Sequence, residues 1–142
     1  MRKLKAAVVG VGNIGTIHTE IYSSLENVDL TAVCDIDQKK ADNAARKFNC
    51  KAFYSVESLL AEMPMEIASV CTKGEENGGD HYLPTVQLLE AGIHVLGEKP
   101  ISNNIEHARL MQKLAAEKNV RYVINLNHRF TPSAIKAGAL FA

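Results

Sequence analysis

The chain has no tryptophan, only four prolines and three cysteines, and an aromatic content of 6% over 142 residues. Cys34, Cys50 and Cys71 are odd in number and too widely spaced for a disulfide framework or a CxxC site, so they read as buried free thiols. An excess of one charge is missing as well: sixteen Lys and Arg balance sixteen Asp and Glu. That balance excludes the broad positive field that drives binding to nucleic acid or anionic lipid. No apolar run approaches the roughly 18 residues of a membrane span, and Met1 to Lys5 lead into a short strand rather than a signal-peptide core. The five histidines form no i, i+4 pair and no carboxylate cluster has ligand spacing, so no metal is expected. What remains is a single cytoplasmic domain with a small-molecule partner and neither nucleic acid nor membrane.

Against these absences stands one positive signal, Gly10-x-Gly12-x-x-Gly15, with the apolar run Ala6 to Val9 before it and a helical pattern after it. Gly10 permits a tight strand-to-helix turn, Gly12 keeps side chains away from a pyrophosphate, and Gly15 lets the helix pack closely on the strand. Asn13 and Ile14 open that helix and complete the loop. Asp35, at the end of the next strand, can accept hydrogen bonds from both ribose hydroxyls and would repel a 2′-phosphate, which favours NAD over NADP. Capping of the second helix is its other reading. A related fold holding S-adenosylmethionine would use a similar loop.

Short β-branched runs alternate with helical patterns, the order expected of a Rossmann-type, doubly wound α/β fold with a mainly parallel sheet between two helical layers. Strands are predicted at residues 5–10, 29–34, 51–54, 66–71, 93–96 and 121–125. In the first helix Ile14, Ile17, Ile21 and Leu25 recur with Tyr22 at three- and four-residue spacing, predicting that this stripe faces the sheet. Further helices are expected at about 37–48, from Ser55 to Met63, at about 80–91 with Pro84 in its first turn, and at about 103–117. In such a sheet ligands bind beyond the carboxyl ends of the strands. That rule selects the segments 10–15, 34–37, 71–81, 97–100 and 125–130.

Three of these segments carry a family resemblance. Gly10 to Gly15 with His18 after it, the run Ala91 to Pro100 ending in Gly97-Glu98-Lys99-Pro100, and Asn127-His128-Arg129-Phe130 together resemble the Gfo/Idh/MocA oxidoreductases over almost the whole chain. The resemblance implies that Glu98-Lys99-Pro100 lies beside a nicotinamide and that Lys99 contacts the reacting hydroxyl or carbonyl. The chemistry suits an ammonium there, because oxidising an alcohol requires the hydroxyl proton to leave as charge develops on oxygen. Glu98 is expected to orient Lys99 or reach the cofactor.

The resemblance also places Thr72 and His81 near the cofactor, although capping or packing suits His81 equally. The segment between them is longer than the family's usual Thr-Pro-Asn-like turn and rich in glycine, as a loop crossing the nicotinamide half would be. Arg129 can hold a carboxylate or polyol, or fasten the following helix. If residues 127–129 are extended, His128 points away from Asn127 and Arg129. His18 reads as a satisfied structural histidine.

Family members add a second domain that supplies the substrate wall, an acid-base histidine and the homo-oligomer interface. Residues 1–130 are therefore expected to form the dinucleotide-binding domain, with 131–142 starting a linking helix toward that domain. The expected function is the nucleotide-binding part of an NAD-dependent oxidoreductase acting on a sugar, polyol or related hydroxy compound. A non-catalytic NAD-binding module is the alternative.

Overall fold

In the computed structural model the described residues are 2–74 and 80–140. Most of the glycine-rich segment expected to cross the nicotinamide, residues 75–79, lies outside them. Six strands form one all-parallel sheet in the order β3-β2-β1-β4-β5-β6. They are β1 (Leu4–Val9), β2 (Val28–Cys34), β3 (Lys51–Phe53), β4 (Ile67–Val70), β5 (His94–Gly97) and β6 (Tyr122–Ile124). The chain reverses direction across the sheet between β1 and β4, which makes that gap the switch point.

Right-handed crossovers put α1 (Asn13–Ser24) and α2 (Gln38–Phe48) on one face, and α3 (Val56–Glu62), α4 (Tyr82–Glu90) and α5 (Ile105–Glu117) on the other. Helix contacts agree: α1 packs beside α2, and α3 and α5 flank α4. The ends follow local chemistry. Asp37 caps α2 through the amides of Lys39 and Lys40, Ser55 caps α3, and Asn104 caps α5. Gly92, with φ +77°, stops the chain after α4.

The larger core lies under α3 to α5, where Leu59, Leu88, Leu89 and Met111 are fully buried against Ala7, Val9, Ala68 and Val70. Under α1 and α2 the core is smaller, built on Val8, Val11, Val33, Ala45 and Cys71.

Two expectations are corrected. Ile14, Ile17, Ile21 and Leu25 do not face the sheet; they are 41–50% exposed, and of the expected stripe Tyr22 turns inward, to Ser69 of β4, beside the buried Gly15, His18 and Thr19. The reason is distance. A Cβ on Gly15 would stand 1.7 Å from the Gly10 carbonyl oxygen, so α1 lies against the glycine loop at its first turn with no room there for a side chain. Residues 127–130 are not extended but form a 3-10 turn, so alternation does not set the direction of His128; α6 (Pro132–Leu140) follows. The second helix turns Ala41 and Ala45 inward, and Ile105 at the start of α5 is 63% exposed.

Candidate dinucleotide site

The glycine loop leaves β1 at the switch point, and its three glycines answer to different demands. Gly10 has φ +86°, and a Cβ there would lie 2.6 Å from the Thr72 amide nitrogen; Gly15 is closed by the Gly10 carbonyl. The fold requires both. Gly12 has an ordinary φ of −70°, and a Cβ on it would meet no atom of the described residues within 4 Å. It forms the N-terminus of α1, where no side chain supplies a cap and Asn13 and Ile14 are exposed. Free amides at a helix N-terminus attract phosphate groups.

Asp35 stands at the end of β2. Its Oδ2 accepts from the Val11 amide at 2.9 Å and its Oδ1 from the Asp37 amide at 2.9 Å. The carboxylate thus ties the glycine loop to the β2 turn and retains lone pairs for further donors. Capping of α2 falls to Asp37.

Beyond β4, the Thr72 hydroxyl donates to the Asp80 carbonyl at 2.6 Å. His81 is buried, with Nε2 at 2.6 Å from the Thr72 carbonyl oxygen and Nδ1 at 2.8 Å from that of Pro100. Its ring therefore braces the turn after β4 against the turn after β5. The Lys99-Pro100 bond is cis. Glu98 donates its amide to the Val70 carbonyl at 2.9 Å, while its side chain turns inward to a polar cluster. There Oε1 accepts from Asn125 Nδ2 at 2.6 Å and lies 3.1 Å from His18 Nε2. On the other side of the ring, Nδ1 is 3.0 Å from Ser69 Oγ, which donates to Tyr22 Oη at 2.8 Å. Burial holds the Tyr22 phenol above its ordinary value, as the nearby Cys71 thiol also does, against the lowering effect of the Ser69 hydroxyl.

Lys99 is exposed, and among the described residues its ammonium has no hydrogen-bond or ion-pair partner. Arg129 is exposed on the 3-10 turn, and the same holds for its guanidinium. The structure thus packs Gly10 and Gly15 at the turn after β4, bonds His81 to Thr72 and Pro100, anchors Glu98 on Val70 and Asp35 on Val11, and leaves Gly12, Asn13, Ile14, Lys99 and Arg129 open to solvent. Sequence reasoning missed Ser69, Tyr22 and Asn125 as members of the cluster at Glu98. One signal was available: Ser69 is the only polar residue in the strand Ile67–Val70.

An uncapped helix start beside a bare glycine, with an acidic residue at the next strand's end, is the arrangement of a nucleotide-binding domain. The family model described as "Oxidoreductase family, NAD-binding Rossmann fold" (Gfo/Idh/MocA) matches residues 4–126. The chain belongs to this family.

Gfo/Idh/MocA relatives include the D-glucoside 3-dehydrogenase of Escherichia coli, 30% identical over 89% of this chain and 36% of that protein. The glucose-6-phosphate 3-dehydrogenase of Bacillus subtilis is 32% identical over 89% of this chain and 34% of its own length. Among solved structures, GenD2 from gentamicin A biosynthesis in complex with NAD superposes with a TM-score of 0.91 at 29% identity, covering 100% of this chain and 40% of that one. The chain thus spans between a third and two fifths of these relatives' lengths. Among the described residues no helix is long and apolar enough to cross a membrane, and no group of three or more His, Cys, Asp or Glu could hold a metal ion.

Proposed function

We propose that this chain is the cofactor-binding part of an NAD-dependent oxidoreductase that oxidises a hydroxyl of a sugar, polyol or related hydroxy compound. The observation that carries the reading is Gly12. Among the described residues nothing fills the space a Cβ would occupy there, and its backbone conformation is ordinary and extended. A glycine that the fold does not need, set between two that it does, fits a ligand that approaches the backbone closely.

In this reading the amides following Gly12 hold the pyrophosphate, and Asp35 accepts from the adenosine ribose and disfavours a 2′-phosphate. Lys40 is engaged with Asp37 at 3.7 Å, which leaves Lys39 as the neighbouring cation for NADP. The bound nicotinamide supplies a hydride acceptor. Lys99, exposed just beyond β5, stabilises negative charge on the substrate oxygen as its proton departs. Arg129 supplies a second cation at the substrate side.

Two relatives named as 3-dehydrogenases of sugars support the substrate class. Substrate choice and subunit pairing belong, in this reading, to the length those relatives have beyond the matched segment, and the enzyme works in the cytoplasm. The test is a fluorescence titration with NADH and NADPH. The parent chain is expected to bind NADH below the millimolar range and more tightly than NADPH. Asp35→Ala should narrow that preference. Gly12→Val should melt within about 0.5 kcal/mol of the parent yet lose NADH at least ~tenfold. Equal NADH affinity in Gly12→Val would sink the proposal.

A further inference from the structure

The cluster beneath Glu98 breaks the pattern of the sheet around it. On the α1 side, register aligns Val33, Val8, Ser69, Leu96 and Val123 in one row across β2, β1, β4, β5 and β6. Ser69 alone is polar, and it is fully buried. Above it His18 is also buried, and the side chains of the His18–Glu98 pair are 8% and 11% exposed. Placing a carboxylate and an imidazole out of water is costly, and well-packed apolar residues of similar volume would often serve stability as well or better. Local rules of this kind are broken most often at functional sites.

The contacts show what the cluster fixes. A carboxylate oxygen has no proton to give, so His18 presents Nε2–H to Glu98 Oε1, and Asn125 donates to the same atom from the end of β6. The Glu98 amide is tied to Val70 and the Pro100 carbonyl to His81. Lys99 thus lies between two pinned neighbours while its own side chain is exposed. Asp35 assigns the adenosine half of a dinucleotide to the β2 side of the switch point, so the nicotinamide half falls over β4 to β6, where this turn stands.

We propose that His18 is a positioning residue for the nicotinamide half of the site: with Asn125 it fixes Glu98, and through Glu98 the backbone that carries Lys99. The inference rests on the dinucleotide reading above. It gives a role to a helix histidine that meets no open surface.

Calorimetric titration of the full 142-residue chain with two ligands tests it. NADH occupies both halves of the site, whereas ADP carries the adenosine and pyrophosphate but neither the nicotinamide nor its ribose. His18→Leu and Asn125→Ala should each weaken NADH roughly tenfold, as loss of a buried hydrogen bond that leaves Glu98 under-satisfied does, with ADP affinity held. His18→Gln, which keeps an N–H for Glu98, should recover most of the loss. Asn125 is only partly buried, so its variant carries the test should His18→Leu fail to fold. Equal weakening of NADH and ADP makes the ring plain scaffolding and overturns the proposal, as does unchanged NADH binding in both variants. A parent chain that binds neither ligand removes the dinucleotide reading first.

Discussion

The two sides of α1 invert the usual relation between hydrophobicity and burial. The outer side carries Ile14, Ile17, Ile21 and Leu25, all 41–50% exposed; the inner side carries Gly15, His18 and Thr19, all buried. Burial here is decided by how near the helix must come to the sheet, and only secondarily by side-chain polarity. Close approach admits glycine and small or satisfied polar side chains: Thr19 returns its hydroxyl to the Gly15 carbonyl at 2.6 Å, and His18 is bonded on both ring nitrogens. On the opposite face of the sheet, with no glycine loop to accommodate, ordinary leucines and a methionine fill the gap.

The strongest way to break this comparison is to fill the close contact. In Gly15→Ala the new Cβ, 1.7 Å from the Gly10 carbonyl oxygen, has backbone as its obstacle and no flexible side chain to displace. A loss of more than ~4 kcal/mol is expected, in the range of single changes that disrupt a fold outright. Urea unfolding measures it. A loss under about 1 kcal/mol would show that α1 can move away from β1, and that its inner residues are not selected by distance.

The thiols compare the two faces of the sheet. Cys34 lies in the larger core and Cys71 beneath α1, and burial pushes both up from 9.0 to about 12, assisted by Asp35 at Cys34 and by Glu98 at Cys71. Cys50, half-buried, is pushed by burial to about 11. Reaction follows the thiolate fraction, so at pH 8 Cys34 and Cys71 should label about a thousandfold more slowly than a free thiol and Cys50 about a hundredfold, making Cys50 first to react. The unfolded chain sheds these protons near 9.0 and the folded chain near 12, so stability should fall as pH rises through that interval. Mass-spectrometric labelling reads the order; Cys71 reacting ahead of Cys50 would mean that the α1 face opens more readily than its packing shows.

The sequence made some of this legible and hid the rest for physical reasons. The alternation of strands with helices and most helix ends follow from hydrophobic patterning, caps and glycines, because each depends on nearby residues: Asp37, Ser55 and Gly92 act within a turn of themselves. The structural demands on Gly10 and Gly15 were legible for the same reason. The inner face of α1 was not. Apolar periodicity reports which stripe is oily, and it cannot report that a backbone oxygen stands where a branched side chain would go. The contacts of His18 and Asn125 with Glu98 were hidden as well, since they join residues 80 and 27 positions apart and depend on the register of β4, β5 and β6. Lys99 was singled out by its motif, and the structure adds that among the described residues its neighbours are held by hydrogen bonds while its ammonium is not.

The smallest expected effect gives the comparison its sharpest form. Ile17→Gln and Ile21→Gln place polar groups on positions that are 49% and 50% exposed, and each should change stability by under ~0.5 kcal/mol. Truncating a buried aliphatic side chain such as Leu88 should cost about 2–5 kcal/mol. Denaturant unfolding at two protein concentrations separates the explanations if the isoleucine variants lose more. A concentration-dependent loss would mean that chains cover this stripe for one another, leaving the inner-face argument intact, whereas a concentration-independent loss would place the stripe against the chain's own residues and overturn the assignment of α1's two sides.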